Sequence, residues 1–383
     1  MQGLVFDTVK DNWDSSKGFR KVDLSEPVLQ EPADTESVIL KMQFAGVCGS
    51  DRGMWFRDSF KDMLLDSLKR EEKPARIVGH ECFGEIVASG SQVEAKYGLK
   101  IGDTVSAESH VVCGQCFQCR NGELNVCVQE KILGISIDGV FAEYVKLPAK
   151  VLWLTDSPRI RPEIASMQDP FGNAVHACTK VDLRGKKVAI FGCGPIGLFS
   201  ILVARALGAS TIVGVEPNET NRELAKMLGA DLVLPLHKED KNKPWENDKA
   251  PTQAILEYTR GAGVDVALEM AGYNSSVNNA IQSVRRGGDV ILFGIKSGDF
   301  TIGQFDRMIV RGVTLHSVIG RQIFKTWYVT RSLLEDQTNG IQDKLWRMMM
   351  KEGNDTIVRF ADFEPQDFER KLLTHPKIII KFN

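Results

Sequence analysis

The sequence predicts an α/β protein of two domains, one an irregular, β-rich partial barrel and the other a doubly wound parallel sheet. Three observations carry that reading. At 383 residues the chain exceeds the usual length of one domain. Up to about residue 155 it is rich in short β-like segments separated by glycine turns: SVILKMQFAG at 37–46, GEIVASG at 84–90 and DTVSAE at 103–108. Near residue 185 the rhythm changes to alternating strand and helix.

Within the first part, FRDSFKDMLLDSLKREEK at 56–73 mixes apolar and charged positions as a surface helix does. In the second part, KKVAIFG at 186–192 reads as a strand, GCGPIG as a tight turn and LFSILVARAL as a helix. TIVGVE at 211–216, VDVALEMAG at 264–272 and GDVILFG at 288–294 read as further buried strands, with NRELAKMLG at 221–229 as a helix. The polar stretch 236–252 is expected to be a surface connection. GVTLHSVIG at 312–320 is expected as a last sheet strand or an exposed edge used in self-association. The final segment ends in HPKIIIKF at 375–382, which suits a return to the first domain. The expected division is 1–155, 156–320 and 321–383, with both chain ends building one discontinuous domain.

An apolar share of 43% and a charged share of 26% describe an ordinary globular protein. A formal net charge of -2 provides no global attraction to nucleic acid or an acidic membrane, so neither is expected as a partner. The N-terminal MQGLVFDTVKDNWDSSKG shows neither the basic segment and apolar core of a signal peptide nor a membrane span. A cytoplasmic location is therefore expected.

Four of the eight cysteines, Cys113, Cys116, Cys119 and Cys127, lie in one short stretch. Four thiolates at such spacing can close a tetrahedral zinc site and staple a loop; zinc is favoured over an iron centre or a set of reduced thiols. A closed site offers no open position, so its role should be structural. Cys48 and the pair His80-Glu81 supply a second possible ligand set, with thiolate, imidazole and carboxylate leaving room for an oxygen ligand. A buried cysteine and a capping histidine would look the same in sequence.

Gly192, Gly194 and Gly197, with Pro195 and Ile196 between them, form a G-x-G-x-x-G turn between an expected strand and helix. That context suits a dinucleotide whose pyrophosphate meets the helix N-terminus. Glu216, 24 positions after Gly192, ends the next strand and could accept the ribose 2′-OH, whereas a 2′-phosphate would be repelled. NAD is favoured over NADP on that ground, with Arg222 placed near adenine or solvent. Glu269 either ends a strand or leads into a nicotinamide-facing AGYN loop.

Across nearly its whole length the chain resembles zinc-containing medium-chain alcohol dehydrogenases, and more closely their L-threonine 3-dehydrogenase-like branch. GVCGSD at 46–51, GHE at 79–81 and GDTVSAESHVVCGQCFQCRNGELNVC at 102–127 carry the resemblance. It continues through GVFAEYVKLP at 139–148, DPFGNAVHA at 169–177, GCGPIG at 192–197 and GRQIFKTWY at 320–328. It implies a GroES-like catalytic domain, a Rossmann domain, NAD and two zinc ions per chain. Cys48, His80 and Glu81 match the catalytic ligands, Asp169 matches an acid that approaches or ligates zinc, and the four clustered cysteines match the structural ligands. Ser50 matches a proton-relaying hydroxyl and His110 a histidine that positions substrate. A homodimer or homotetramer is implied as well.

The resemblance also has departures. The 56–73 segment is longer and more charged than the corresponding connection, and Lys325 stands where that branch commonly carries an acid. The expected chemistry is oxidation of a small polar secondary alcohol, including L-threonine or a related 3-hydroxy amino acid, or the reverse reduction of a carbonyl. Arg321, Trp327 and His110 are candidates for carboxylate contact, pocket wall and positioning. The alternatives are a polyol, sugar-acid or aminocyclitol dehydrogenase and, in another class, a non-catalytic NAD sensor or structural zinc protein. The Cys48/His80/Glu81 set argues against the last, since the cysteine cluster alone would suffice for structure.

Overall fold

In a computed structural model, which describes residues 1–155, 158–236, 245–246, 248–295 and 298–382, the chain divides into two compact units. One comprises Met1–Pro170 with Leu345–Asn383, the other Phe171–Lys344. The first therefore extends past residue 155 and the second past residue 320, and the reason is packing. Ser106 Oγ donates to the Ala165 carbonyl at 3.0 Å, and Gln168 Nε2 donates to Ser106 and Thr155 hydroxyls at 2.9 Å each, which ties 162–170 to the β-rich unit. Arg321 donates to Asn173 Oδ1 at 2.8 Å and Lys344 to the Leu228 carbonyl at 3.1 Å, which keeps 321–344 in the other.

The main sheet of the first unit is ordered Leu152–Leu154, Thr104–Ala107, Glu81–Ser89, Ser37–Val47, Ile378–Lys381 and Ile357–Arg359. Tyr144–Pro148 also pairs with Ser37–Val47. That long strand is mostly apolar and buried along both faces, as suits the strand with most partners. A second sheet of Arg20–Asp23, Gln2–Asp7 and Ala75–Ile77 contributes Leu4 and Phe6 to the same core as Leu40, Phe141 and Ile380. The helix expected within 56–73 spans Lys61–Arg70 and buries Leu64 and Leu68 while its charges face outward.

Register in this sheet decides where the chemistry falls. Gly46 pairs with Glu81, Ala45 with Cys82, and Val47 with Ile378. Cys48 thus follows the end of one strand while His80 precedes the start of its neighbour. The strand from the C-terminal segment lies on the other side of Ser37–Val47, so the chain end returns to build this region.

In the second unit six parallel strands are ordered Leu232–Leu234, Thr211–Val215, Lys187–Phe191, Val264–Glu269, Val284–Leu292 and Thr314–Ser317. Lys187–Phe191 comes first in sequence yet lies centrally, so the order reverses beside it. Ligands bind at the carboxyl end of such a switch point. Thr314–Ser317 occupies an edge, as expected for GVTLHSVIG. Of the expected connection 236–252, residues 237–244 and 247 lie outside the described residues. Among the described residues, no helix is long and apolar enough to cross a membrane.

Candidate metal centres and the nucleotide turn

Cys113, Cys116, Cys119 and Cys127 converge on one point, their sulfurs all within 4.8 Å of one another. The lobe is closed at its base by antiparallel pairing of His110–Val111 with Lys131–Ile132. Cys116 caps the short helix Phe117–Arg120 that carries Cys119, and Cys127 follows the 3-10 turn Leu124–Val126. A tetrahedron with Zn–S bonds of about 2.3 Å requires sulfurs about 3.8 Å apart. Cys116–Cys127 measures 3.9 Å and Cys127–Cys113 3.5 Å, so the donor set fits a zinc ion. Backbone amides of Gln115 and Cys116 lower the Cys113 thiol pKa, and those of Cys119 and Val128 bring Cys116 to about 6. Both favour the thiolate that a metal needs.

The second centre forms where the paired strands end. Cys48, His80 and Glu81 each offer a donor atom within the same 4.8 Å span. Glu81 is wholly buried, and its Oε1 accepts no hydrogen bond. Its Oε2 pairs with Lys377, which also donates to the Val47 carbonyl at 3.0 Å. A Cβ at Gly46 would lie 1.9 Å from Oε2, so only glycine leaves room for this carboxylate. Burial raises the Glu81 pKa, against the opposing charges of Lys377 and His80. A dry carboxylate oxygen beside a thiol and an imidazole suits a cation.

His80 lies between Asp51 and Ser50. Its Nδ1 lies 3.5 Å from Asp51 Oδ1 and its Nε2 lies 3.3 Å from Ser50 Oγ. Asp51 Oδ2 accepts from the Cys48 amide at 2.8 Å, so one wholly buried acid orients both neighbours. Burial pulls the His80 pKa down, but Asp51 and Cys48 outweigh it and hold the ring well above its usual value.

Asp169 lies outside the group of three; its Oδ2 accepts from the Ser109 amide at 3.2 Å, and its charge is felt by Glu81. His110 sits on the stem of the cysteine lobe, with Nδ1 3.0 Å from Glu130 Oε2. Arg321 and Trp327 are 2% and 1% exposed, and Arg321 donates to Asn173 Oδ1. Sequence reasoning missed Lys377 and Asp51. Asp51 stood inside the quoted GVCGSD segment, but only pairing between distant strands reveals Lys377.

The glycine turn stands at the carboxyl end of Lys187–Phe191. Gly192 has φ +92°, a conformation that favours glycine. A Cβ at Gly197 would lie 2.0 Å from the Gly192 carbonyl oxygen, whereas one at Gly194 would meet nothing within 4 Å. The turn is therefore tight inside and open outside, where a pyrophosphate would approach. Pro195 and Ile196 open the helix Pro195–Ala206, whose first-turn amides face that opening. Glu216 accepts from the Cys193 amide at 2.7 Å and the Asn218 amide at 2.9 Å, bracing the turn it was expected to serve. Arg222 folds back on the Glu216 and Pro217 carbonyls at 3.2 and 2.6 Å. Glu269 is a loop builder: it accepts from the Ala271 and Gly272 amides and from Ser276 Oγ at 3.0, 2.9 and 2.7 Å.

A Rossmann unit with a nucleotide turn, joined in one chain to a β-rich unit with two metal-ligand clusters, defines a zinc-binding dehydrogenase. A family described as alcohol dehydrogenase GroES-like domain matches residues 34–157, and one described as zinc-binding dehydrogenase matches 195–336. L-threonine 3-dehydrogenase of Symbiobacterium thermophilum is 38% identical over 77% of this chain and 78% of its own length. The enzyme of that name from Pyrococcus horikoshii is 37% identical over 82% and 84%. Among solved structures, 2R,3R-butanediol dehydrogenase from Bacillus subtilis superposes with a TM-score of 0.77 at 26% identity, covering 100% of this chain and 99% of that one. Alcohol dehydrogenase TADH from Thermus sp. ATN1 gives 0.79 at 24%, covering both chains fully, and speaks to the fold alone. The chain belongs to the zinc-binding medium-chain dehydrogenase family. It is a zinc-dependent, NAD-linked enzyme acting on a small polar alcohol.

Two outcomes test these sites. Metal analysis of the zinc-loaded protein should give two zinc ions per chain. Cys48→Ser should remove one with little change in melting temperature, while Cys116→Ser should remove the other and lower the melting temperature by several degrees; loss of both or neither from either variant contradicts the division. Gly197→Ala should weaken NADH binding at least about tenfold by fluorescence titration, because the turn must move. Unchanged affinity would count against the packing.

Proposed function

We propose that the chain oxidises a 3-hydroxy amino acid, L-threonine first among candidates, at its secondary alcohol. The observation that carries this is the intact Cys48/His80/Glu81 set in a chain 33–38% identical to L-threonine 3-dehydrogenases from several organisms. Cys48, His80 and Glu81 hold the catalytic zinc, while Asp169 adds negative charge beside them. Bound zinc would supply Lewis acidity toward the alcohol oxygen, and bound NAD would supply the hydride acceptor.

The protein's share is positioning and proton movement. Ser50, 3.3 Å from His80, takes the hydroxyl proton and passes it outward, and His110 positions the substrate. For L-threonine, C3 loses hydride and its hydroxyl loses a proton, leaving the 2-amino-3-oxo acid. Gly192, Gly194, Pro195, Ile196 and Gly197 cradle the cofactor pyrophosphate. Glu216 repels a 2′-phosphate and so selects NAD, with Arg222 beside the adenosine. The enzyme works in the cytoplasm as a homodimer or homotetramer, for which the edge strand Thr314–Ser317 is a ready pairing surface.

Steady-state assays over L-threonine, related 3-hydroxy amino acids, polyols, sugar acids and aminocyclitols, followed by NADH appearance and product mass, test the assignment. The expected result is a kcat/KM for L-threonine at least about tenfold above that for any polyol. A polyol or aminocyclitol preferred by that margin overturns the substrate class and leaves the reaction type intact.

A further inference from the structure

At the amino ends of the parallel strands, away from the glycine turn, the second unit contains a cavity of about 420 Å³. Helices Lys249–Tyr258, Asn274–Ser283 and Phe305–Val310 each contribute to its lining. Its lining is more polar than apolar: Leu256, Ile281 and Met308 supply the apolar part, the last two buried, beside Thr252, Gln282 and Gln304. Its charge comes from Arg286, Arg307 and Arg311, and no carboxylate lines it among the described residues.

These guanidiniums differ from their neighbour Arg285. Adjacent Arg285 is paired with Asp265 at 2.7 Å. Arg286, Arg307 and Arg311 have no carboxylate partner among the described residues. Arg311 is half-buried, and its amino nitrogens donate to the carbonyls of Ile281, at 3.2 Å, and Val284. The Gly287 amide donates to the Arg311 carbonyl at 2.8 Å, which fixes residue 286 beside 311. Among the described residues the Arg307 guanidinium donates to Gln304 Oε1, at 3.2 Å. Burial and the adjacent Arg286 charge together push the Arg311 guanidinium below its ordinary range. Like charge held together at one recess is unfavourable until an anion joins it.

We propose that this cavity binds a small phosphomonoester, its phosphate held by Arg286, Arg307 and Arg311 and its organic part lying on Leu256, Ile281 and Met308. A dianionic phosphate offers three terminal oxygens to the exposed forks of Arg286 and Arg307 beside the Arg311 charge, whose own amino nitrogens already serve the Ile281 and Val284 carbonyls, whereas a lone carboxylate would leave most of the positive charge unanswered. The volume exceeds what phosphate alone fills, which is why the apolar part matters.

Calorimetric titration of the zinc-loaded full chain tests this, with saturating NADH filling the glycine turn and sodium chloride holding ionic strength constant. The probes are inorganic phosphate, phenyl phosphate and benzoate. Phenyl phosphate should bind saturably, more tightly than either of the others. In Arg286→Glu/Arg307→Glu, whose altered side chains are both exposed, its affinity should fall at least about tenfold. Arg286→Ala alone should show a smaller loss and provides a reading if the double variant is unstable. Absence of saturable binding, or equal affinity in the variants, overturns the site. Phenyl phosphate binding no more tightly than inorganic phosphate overturns the role of the apolar part.

Discussion

A carboxylate with no exposure to water is expensive to bury unless opposite charge surrounds it, and Glu81 is such a group. Lys377 answers one oxygen, while the other is left beside His80 and Cys48. Several features of the β-rich unit follow from that constraint. Position 46 must be glycine because any Cβ would collide with the carboxylate. The C-terminal strand must return beside Ser37–Val47 because it carries Lys377 to its partner. Asp51 must be buried too, since it holds both the Cys48 amide and His80 in place. The centre thus leaves Glu81 Oε1, His80 Nδ1 and Asp51 Oδ1 buried without a hydrogen-bond partner, a set of polar atoms that a bound cation at Cys48, His80 and Glu81 would help to answer.

The eight cysteines divide by environment rather than by number. In the lobe, backbone amides stabilise the Cys113 and Cys116 thiolates, while burial pushes the neighbouring Cys119 thiol up to about 12. Cys82 and Cys178 lie in the two cores, where burial pushes each thiol up to about 12 and leaves it inert. Burial likewise raises Cys193, which lies within the nucleotide turn with Glu216 nearby. Cys48 belongs to neither group, because it sits between the strand Ser37–Val47 and the helix Gly49–Trp55 at the second centre. Structural and catalytic metal chemistry can therefore coexist in one unit, as each set of ligands has its own local geometry.

Local signals were legible in the sequence and distant ones were not. The cysteine lobe and the glycine turn each lie within a short window, and the structure assembles both from neighbouring residues. The strands of the parallel sheet were likewise readable, since buried β-branched runs alternate with helical segments. Cys48 and His80-Glu81 could be joined only through family resemblance, because their proximity depends on long-range pairing of Ser37–Val47 with Glu81–Ser89. Lys377 stands 296 positions from Glu81, and nothing in HPKIIIKF marks its lysine as buried. The unit boundaries moved because side-chain bonds from Gln168 and Arg321, rather than composition, decide which core each segment joins. Glu216 shows a further limit: its spacing suggested a ribose contact, but not that it also braces the turn.

The central claim is that two chemically different zinc environments exist in this one chain. X-ray absorption at the zinc edge, recorded on protein holding two zinc ions per chain, tests it most directly. The predicted spectrum mixes sulfur at about 2.3 Å with a distinct nitrogen and oxygen shell at about 2.0 Å. In Cys48→Ser, one zinc should remain with sulfur ligands alone. A wild-type spectrum containing only the sulfur shell would contradict the claim, because the His80 and Glu81 site would then hold no metal.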